Sequence, residues 1–182
     1  MKKLIFILII VQILLNTNVY AHHAYLYNDY RYENYDKIYR SQIKISFSEQ
    51  KLLYDICQDF EVDYYEALAI YMVENPTFNS KIKRKNKNGT YDWGDFQIND
   101  INHKELIDLG YIYDSSDLLI RKNNFKCAIY LLSKLSKYSR EERIIAYNHG
   151  EQGMKNLFEK NITETPYSKK VLEYYNELKG GL

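Results

Sequence analysis

Residues 67–99 read ALAIYMVENPTFNSKIKRKNKNGTYDWGDFQIN, which divides into an apolar segment, a polar segment and a short motif rich in glycine and aromatic residues. In the first segment apolar residues recur at three- to four-residue spacing, which predicts a helix with one face turned inward. Asp63, with Glu66 three residues later, is placed to cap its start. Pro76 disfavours helical geometry at the residue before it, so we expect the helix to end near Glu74.

Glu74 is the first candidate for a reactive side chain. At the C-terminal end of a helix the peptide dipoles oppose the ionisation of a carboxylate. Apolar neighbours such as Val73 and Phe78 oppose it further by desolvation. A carboxylic acid that stays protonated near neutral pH can donate a proton to the leaving oxygen of a glycoside. Considered alone, Glu74 fits an exposed helix-end glutamate better.

The second half of the stretch combines a turn with a compact motif. Asn88-Gly89 is a strong turn signal. Asp92–Asn99 follow as DWGDFQIN, in which Gly94 permits positive φ or a close backbone approach. Gln97 can both donate and accept hydrogen bonds, which suits the hydroxyl and N-acetyl groups of sugars. A hairpin with a buried aromatic plug is the structural alternative.

Further helices are expected along the rest of the chain. Ser48 is expected to cap an amphipathic helix over residues 48–60. Ser139 with Glu142 forms a capping box, and Gly150 is placed to end the helix that follows. The C-terminal half is therefore predicted to be helical.

The acid, the motif and a third run together resemble the lysozyme superfamily, and most closely the catalytic domain of soluble lytic transglycosylases (SLT). Glu74 followed by Phe78-Asn79 is similar to the family's Glu-Ser-x-Phe-Asn. Gly94–Ile98 (GDFQI) is similar to its Gly-Leu-Met-Gln-Ile, and Ala146–Gly150 (AYNHG) to its Ala-Tyr-Asn-x-Gly. The resemblance covers residues 48–178. It implies a mainly α fold of the α+β, lysozyme-like type, with a small β-hairpin beside an active-site groove.

This chain departs from the family pattern close to the acid. Asn75 stands where the family has serine, and one extra residue separates Glu74 from Phe78-Asn79. Asp95 stands where the family has an apolar residue. Tyr167, by contrast, matches a tyrosine that often starts the last helix in the family.

The resemblance also implies a substrate and a set of site residues. The substrate is peptidoglycan, cut at the β-1,4 bond between N-acetylmuramic acid and N-acetylglucosamine. Glu74 would protonate the glycosidic oxygen, and Asp92 is the second catalytic candidate. Tyr147 would lie near Glu74 and orient it or the sugar. The residues expected to bind substrate are Gln97, Phe96, Tyr147 and Asn148.

Two outcomes of the cut stay open at this point. In a lytic transglycosylase the carboxylate of Glu74 then takes the proton of the muramic acid C6 hydroxyl, which gives a 1,6-anhydro product and consumes no water. In a lysozyme-type muramidase Asp92 assists and water completes the reaction. The Ala-Tyr-Asn motif and the helical C-terminal half favour the transglycosylase. A non-catalytic module that binds the cell wall is a third alternative.

The chain is expected to divide into three segments. Residues 1–21 have two lysines, an apolar core and a small-residue cleavage site, which predicts a secretion signal. An uncleaved N-terminal anchor is the alternative. Residues 22–45 contain six tyrosines and are expected to form a mobile arm or a strap lying on the domain, or else a glycan- or partner-binding segment. Residues 46–182 are the transglycosylase domain, exported to the periplasm or the exterior with no stable membrane insertion after signal cleavage.

Charge and composition narrow the expected partners. Without residues 1–21 the chain has 23 basic and 24 acidic residues, a net charge of −1, so no basic surplus indicates nucleic acid. No cluster has zinc or calcium spacing, so neither a metal nor another cofactor is expected. Cys57 and Cys127 could form a disulfide after export or stay buried thiols. Peptidoglycan strands are the expected partner. Wall remodelling, assistance to a secretion system and attack on rivals all stay open, and with them a wall-associated or secretion-system partner.

Overall fold

The structure is a computed structural model that describes Tyr35 and residues 37–180 of the chain. The expected secretion signal and most of the tyrosine-rich arm lie outside the described residues, so both stay predictions. Contacts divide the chain after Tyr39, and the unit that starts at Arg40 carries all the elements named below. Within the described part, no helix combines the length and the apolarity needed to cross a bilayer.

Six α-helices and a three-stranded antiparallel sheet make up the described part of this unit. In chain order they are α1 Phe47–Asp59, α2 Tyr64–Glu74, β1 Lys83–Lys85, β2 Tyr91–Trp93, β3 Ile98–Asn99, α3 His103–Asp108, α4 Arg121–Ser133, α5 Arg140–Glu159 and α6 Pro166–Gly180. Two 3-10 turns, Asp100–Asn102 and Ser115–Leu119, flank α3. The mainly α, lysozyme-like fold with a small sheet that the sequence predicted is confirmed.

Local sequence sets both ends of α2. Asp63 precedes the helix, and its Oδ1 accepts hydrogen bonds from two backbone N–H groups of the first turn, at 2.9 and 3.3 Å. The helix ends at Glu74 because Asn75 leaves helical geometry, with φ −133°. Pro76 predicted this end correctly.

The serine that begins α1 is not the expected one. Ser46 caps the helix: its Oγ accepts from the Glu49 backbone N at 3.3 Å, and the Glu49 side chain accepts from the Ser46 backbone N at 2.8 Å. The prediction of Ser48 was wrong because the earlier start completes a capping box with Glu49. The prediction that Ser139 caps α5 within a capping box is confirmed. Gly150, with φ 72°, breaks helical geometry inside α5, but the helix resumes and ends at Glu159 rather than at the glycine.

The centre of the core is α2. Residues 67–71 are all fully buried, so the helix is covered on every side, and it packs chiefly against α6. The Tyr71 ring centroid lies 5.6 Å from those of Phe78 and Phe96 and 5.8 Å from that of Phe125. Aromatic pairs of this kind contribute about 0.5–1.5 kcal/mol each beyond the area they bury. This aromatic cluster holds the C-terminal end of α2 against the glycine-containing motif.

The two faces of the small sheet differ in chemistry. The cross-strand pairs of β1 and β2 are Lys83 with Trp93, Arg84 with Asp92, and Lys85 with Tyr91. Because side chains alternate between faces along a strand, Arg84 and Asp92 share one face, and the two lysines share the other with the aromatic rings. The Nζ atom of Lys83 lies 3.7 Å from the Trp93 ring centroid, a cation–π contact.

Candidate active site

Glu74 is the last residue of α2 and is partly buried. The Tyr167 hydroxyl donates a hydrogen bond to its Oε1 at 2.7 Å. Burial raises the pKa of Glu74 to about 7, and the negative charge of Asp92 raises it as well. The Tyr167 hydrogen bond and the positive charge of Arg84 lower the pKa without cancelling the effect of burial. The carboxyl therefore passes between its neutral and charged forms near neutral pH, in the direction expected from the sequence.

Tyr167 is the tyrosine that bonds to Glu74, whereas the sequence suggested Tyr147 for that role. It lies in the first turn of α6, and its pKa is raised well above the usual value by burial and by the charge of Glu74. The family resemblance placed Tyr167 at the start of the last helix but did not assign it a function. The signal that could have assigned one was Thr165-Pro166, which fixes where α6 begins and so which side chains its first turn turns toward α2.

The Tyr147 hydroxyl bonds to the glycine-containing motif. It donates to the carbonyl oxygen of Phe96 at 2.9 Å, so it supports the motif rather than the carboxyl of Glu74. Burial raises its pKa well above the usual value, and the charges of Glu74 and Asp92 add to that effect. The charge of Glu74 therefore acts on Tyr147, whereas the hydrogen bond to Glu74 comes from Tyr167.

The glycine-containing motif turns tightly under the site. Gly94 has φ 70°, and a Cβ there would lie 2.2 Å from the carbonyl oxygen of Leu118, so only glycine fits. Gln97 also has positive φ, at 47°, and its Nε2 donates to the Gly94 carbonyl at 2.6 Å. The Oε1 of Gln97 is buried and accepts no hydrogen bond from the described residues. A buried acceptor of this kind is a candidate contact for an incoming ligand.

Asn124 holds the motif in place and was not recognised as a site residue from the sequence. Its Oδ1 accepts from the Phe96 backbone N at 2.8 Å, and its Nδ2 donates to the carbonyls of Trp93 and Leu118, both at 2.9 Å. The amide is fully buried on α4. One side chain thus satisfies three backbone groups around Gly94, which fixes the path of the motif.

The remaining predicted site residues fall in different environments. Asp92 lies on β2, partly buried, and its Oδ1 accepts from Asn99 Nδ2 at 2.6 Å. Asn148 is exposed. Phe96, expected to bind substrate, has no exposed surface, because its ring packs in the aromatic cluster with Tyr71. The expectation for the Phe96 side chain was therefore wrong, and Phe96 serves the core.

Both cysteines lie in the core of the described part of the chain. Cys57 and Cys127 are both buried as free thiols, and burial raises the pKa of each. Across Tyr35 and residues 37–180, no three His, Cys, Asp or Glu side chains are grouped so that they could hold a metal ion.

A helical domain with a small antiparallel sheet, and with a protonatable glutamate at a helix end, defines a lysozyme-like domain. Comparison with protein families matches residues 54–168 to the transglycosylase SLT domain. The chain belongs to that family, which places it among proteins of the lytic-transglycosylase type that act on peptidoglycan. Comparison with curated proteins gave no match, and comparison with solved structures gave none.

Proposed function

We propose that this protein is an exported peptidoglycan lytic transglycosylase that uses Glu74 as both general acid and general base. The observation that carries the proposal is the state of Glu74. Its pKa is about 7, and its hydrogen-bond partner is the neutral hydroxyl of Tyr167 rather than a cation. A general acid works best when its pKa lies near the working pH, because both protonation states are then accessible during the reaction.

The proposed reaction has two proton transfers and consumes no water. Glu74 donates its proton to the glycosidic oxygen, the bond from that oxygen to C1 of N-acetylmuramic acid breaks, and the N-acetylglucosamine fragment leaves as an alcohol. The resulting carboxylate takes the proton of the C6 hydroxyl, whose oxygen bonds to C1 and closes the 1,6-anhydro ring. The Tyr167 hydroxyl supports the intermediate stage, since a hydrogen bond to a carboxylate favours its charged form.

Substrate contacts are proposed for the polar groups around the acid. Gln97 offers a buried acceptor without a partner among the described residues, which suits a hydroxyl or an N-acetyl N–H of the glycan. Asn148, which is exposed, offers both a donor and an acceptor. Tyr147 sets the backbone of the motif through the Phe96 carbonyl.

Hydrolysis of the same bond is the second candidate, and Asp92 is the observation that favours it. Its charge lies close enough to Glu74 to raise the pKa of that carboxyl. The bond from Asn99 holds one of its oxygens in place. In a lysozyme-type muramidase Asp92 would assist bond cleavage and water would complete the reaction.

Localisation follows from the substrate. A peptidoglycan-cleaving domain acts outside the cytoplasm, in the periplasm or beyond, and the signal-like segment at residues 1–21 supplies a route there. The expected partner is the glycan strand itself.

The test is clearing of purified peptidoglycan by wild type and by Glu74→Gln. The substitution keeps the shape but cannot donate the catalytic proton, so we expect the rate to fall by about 10³-fold or more. Glu164→Gln, at an exposed glutamate, is the matched control and should clear at the wild-type rate. Clearing by Glu74→Gln at the wild-type rate would refute the assignment.

Mass spectrometry of the wild-type digest separates the candidates. Anhydro-muropeptides identify a transglycosylase, and reducing-end muramic acid identifies a muramidase. Binding of the wild-type protein to peptidoglycan without release of any fragment would identify a non-catalytic module and contradict both.

A further inference from the structure

A buried polar network lies directly behind Glu74. Asn75, the next residue, is fully buried, and its Nδ2 donates to Asp95 Oδ1 at 3.0 Å and to the carbonyl oxygen of Asn79 at 3.2 Å. Its Oδ1 accepts from the backbone N of Asn79 and from Thr77 Oγ1, both at 3.1 Å. One side chain therefore shapes the loop that leaves α2 and also ties that loop to the glycine-containing motif.

Arg121 completes the network from the other side. Its Nε and Nη2 donate to the two carboxylate oxygens of Asp95 at 3.1 and 3.2 Å, and Nη2 also donates to the Phe78 carbonyl at 3.0 Å. Its Nη1 forms an ion pair with Glu49, the residue that closes the capping box of α1. A single guanidinium at the start of α4 thus joins the loop after Glu74, the motif and α1.

The residues of this network coincide with the departures from the family pattern. Asn75 replaces the usual serine, Asp95 replaces an apolar residue, and the loop between Glu74 and Phe78-Asn79 is one residue longer. In this fold the two replacements bond to each other. A carboxylate as fully buried as Asp95 is costly unless it is paired and hydrogen-bonded, and the neighbouring arginine and asparagine supply that pairing.

We propose that Asn75, Asp95 and Arg121 act as a positioning clamp that sets where the carboxyl of Glu74 stands relative to Gln97. Glu74 directly precedes one arm of the clamp, and Gln97 lies two residues after Asp95 in the other. The clamp holds the lengthened loop and the motif at a fixed separation. Its members contact one another rather than the substrate, so they are positioning residues. The inference rests on the proposed function of Glu74.

The chain offers a closely matched control at the opposite end of α2. Arg143 pairs with the fully buried Glu66 through two hydrogen bonds, at 2.7 and 2.6 Å. The Arg121 and Arg143 side chains are both 19% exposed, and both bind a carboxylate with no exposed surface. Removal of either guanidinium takes two hydrogen bonds from a carboxylate with no exposed surface, although Glu66 also keeps a bond from Arg140, and only Arg121 belongs to the clamp beside Glu74.

The experiment compares Arg121→Met with Arg143→Met in the full chain, at a temperature where both are folded by circular dichroism. We expect kcat on soluble, uncrosslinked peptidoglycan strands to fall by about 10–100-fold in Arg121→Met, with KM changed less than threefold. A shift of about 1 Å in a reacting group has this effect on proton-transfer geometry. Arg143→Met should keep kcat within about threefold of wild type, because its effect is on stability alone.

The pH profile gives a readout that a loss of stability would not move. The groups that act on Glu74 are Tyr167, Asp92 and Arg84, together with burial. Tyr147, on α5, also interacts with the charge of Glu74, which raises the pKa of that tyrosine. On the alkaline limb of the pH profile, kcat falls because Glu74 loses the proton that it must donate. If the clamp is lost and Glu74 gains contact with water, the pKa of Glu74 falls toward the ordinary value, so this limb moves to lower pH. We expect this shift in Arg121→Met and its absence in Arg143→Met.

Asp95→Asn keeps the proposal testable if Arg121→Met does not fold. It preserves the side-chain shape but loses the charge that Arg121 pairs with, and we expect a smaller loss of kcat, about tenfold, with the same direction of pH shift. Equal kcat in the Arg121 and Arg143 variants, or an unmoved alkaline limb in both clamp variants, would overturn the clamp. Failure of the proposed function looks different, since Glu74→Gln would then stay active whatever the clamp variants do.

Discussion

Glu66 and Glu74 lie on the same helix, about two turns apart, in opposite surroundings. Glu66 has no exposed surface, and its carboxylate accepts hydrogen bonds from Arg143 and Arg140. Glu74 is partly buried and accepts a hydrogen bond from the hydroxyl of Tyr167. One side chain type therefore appears twice on α2, once with cationic partners and once with a neutral one.

The two carboxyls differ in the partners that face their charge. The extent of burial alone does not explain the difference between the two carboxyls, because Glu66 is the more buried of the two. Guanidinium groups compensate the charge of Glu66 and fix α5 to α2, and in return the pKa of Arg143 is raised by its hydrogen bond to that carboxylate. Among the described residues, no guanidinium is hydrogen-bonded to Glu74. The charge of Arg84 lowers the pKa of Glu74 without cancelling the effect of burial, so that pKa is about 7. The helix is anchored by ion pairs near its first residue, and the proposed catalytic acid is its last residue.

Glu66→Gln should have the largest effect and act on stability. The substitution removes the carboxylate that both arginines bind, and breaking a buried ion pair is strongly destabilising. Because the arginines are partly exposed and recover some hydration, we expect a loss of about 2–4 kcal/mol in the free energy of unfolding, measured by urea denaturation at pH 7. Glu177→Gln, at an exposed glutamate on α6, should change it by less than about 0.5 kcal/mol. Equal effects of the two substitutions would contradict the structural role of Glu66.

Glu74→Gln should raise the free energy of unfolding at high pH, whereas Glu66→Gln should lower it. The folded-state pKa of Glu74 is raised from 4.5 to about 7, so the folded protein holds its proton over a pH range where the unfolded chain has lost it. The stability that this difference contributes is complete below pH 4.5 and is lost as the pH rises through 7. Above pH 7 the wild type buries a charge that glutamine does not carry. The variant should therefore gain about 1–3 kcal/mol relative to wild type between pH 5 and pH 8.

The measurement is urea denaturation of wild type and Glu74→Gln at both pH values. Glu66→Gln serves as the contrasting variant, because it is expected to be less stable than wild type at pH 5 and at pH 8. A difference between Glu74→Gln and wild type that does not change with pH would mean that Glu74 titrates alike in the folded and unfolded chain.

The sequence predicted the features of α2 and of the motif that depend on residues close together in the chain. Asp63 and Pro76 give the two ends of α2, so the position of Glu74 at the helix end follows from neighbouring residues alone. The motif around Gly94 is local as well, since the need for positive φ is a property of a few consecutive residues. The family resemblance added the fold, because three motifs in order constrain the chain between them.

What the sequence did not predict depends on contacts between distant segments. Tyr167 reaches Glu74 across 93 positions, and that contact exists only because α6 packs along α2. The ion pair of Asp95 with Arg121 spans 26 positions, and charge patterning in the sequence does not specify such a partner. The burial of Phe96 also depends on distant residues, since its ring packs against Tyr71 and Phe125. From the sequence alone, an aromatic residue in this motif suits contact with a sugar as well as it suits the core.

Tyr167→Phe tests the surroundings of Glu74, the proposed acid, in this comparison. The hydroxyl hydrogen bond favours the charged form of Glu74, so its removal should raise the pKa of the carboxyl above 7. The alkaline limb of kcat should move upward by about one pH unit, since a hydrogen bond to a charged group is worth about 1.5–3 kcal/mol and solvent replaces part of it. Tyr147→Phe is the matched control, because that hydroxyl bonds to the Phe96 carbonyl, and its alkaline limb should stay in place. A downward or absent shift in Tyr167→Phe would contradict the assigned hydrogen bond.

Among these variants, Arg84→Met is expected to cause the smallest shift in the pH dependence of kcat. Arg84 is exposed on β1, on the face it shares with Asp92, and its positive charge lowers the pKa of Glu74. Its removal should move the alkaline limb upward by a few tenths of a pH unit, and 0.5 M salt should abolish the difference because an exposed charge is screened at that ionic strength. Lys85→Met removes the same charge from the opposite face of the same strand and should move the limb less. Equal shifts in the two variants would mean that Glu74 senses the net charge of the hairpin, and the contrast with Glu66 would then rest on overall charge rather than on the groups that each carboxyl touches.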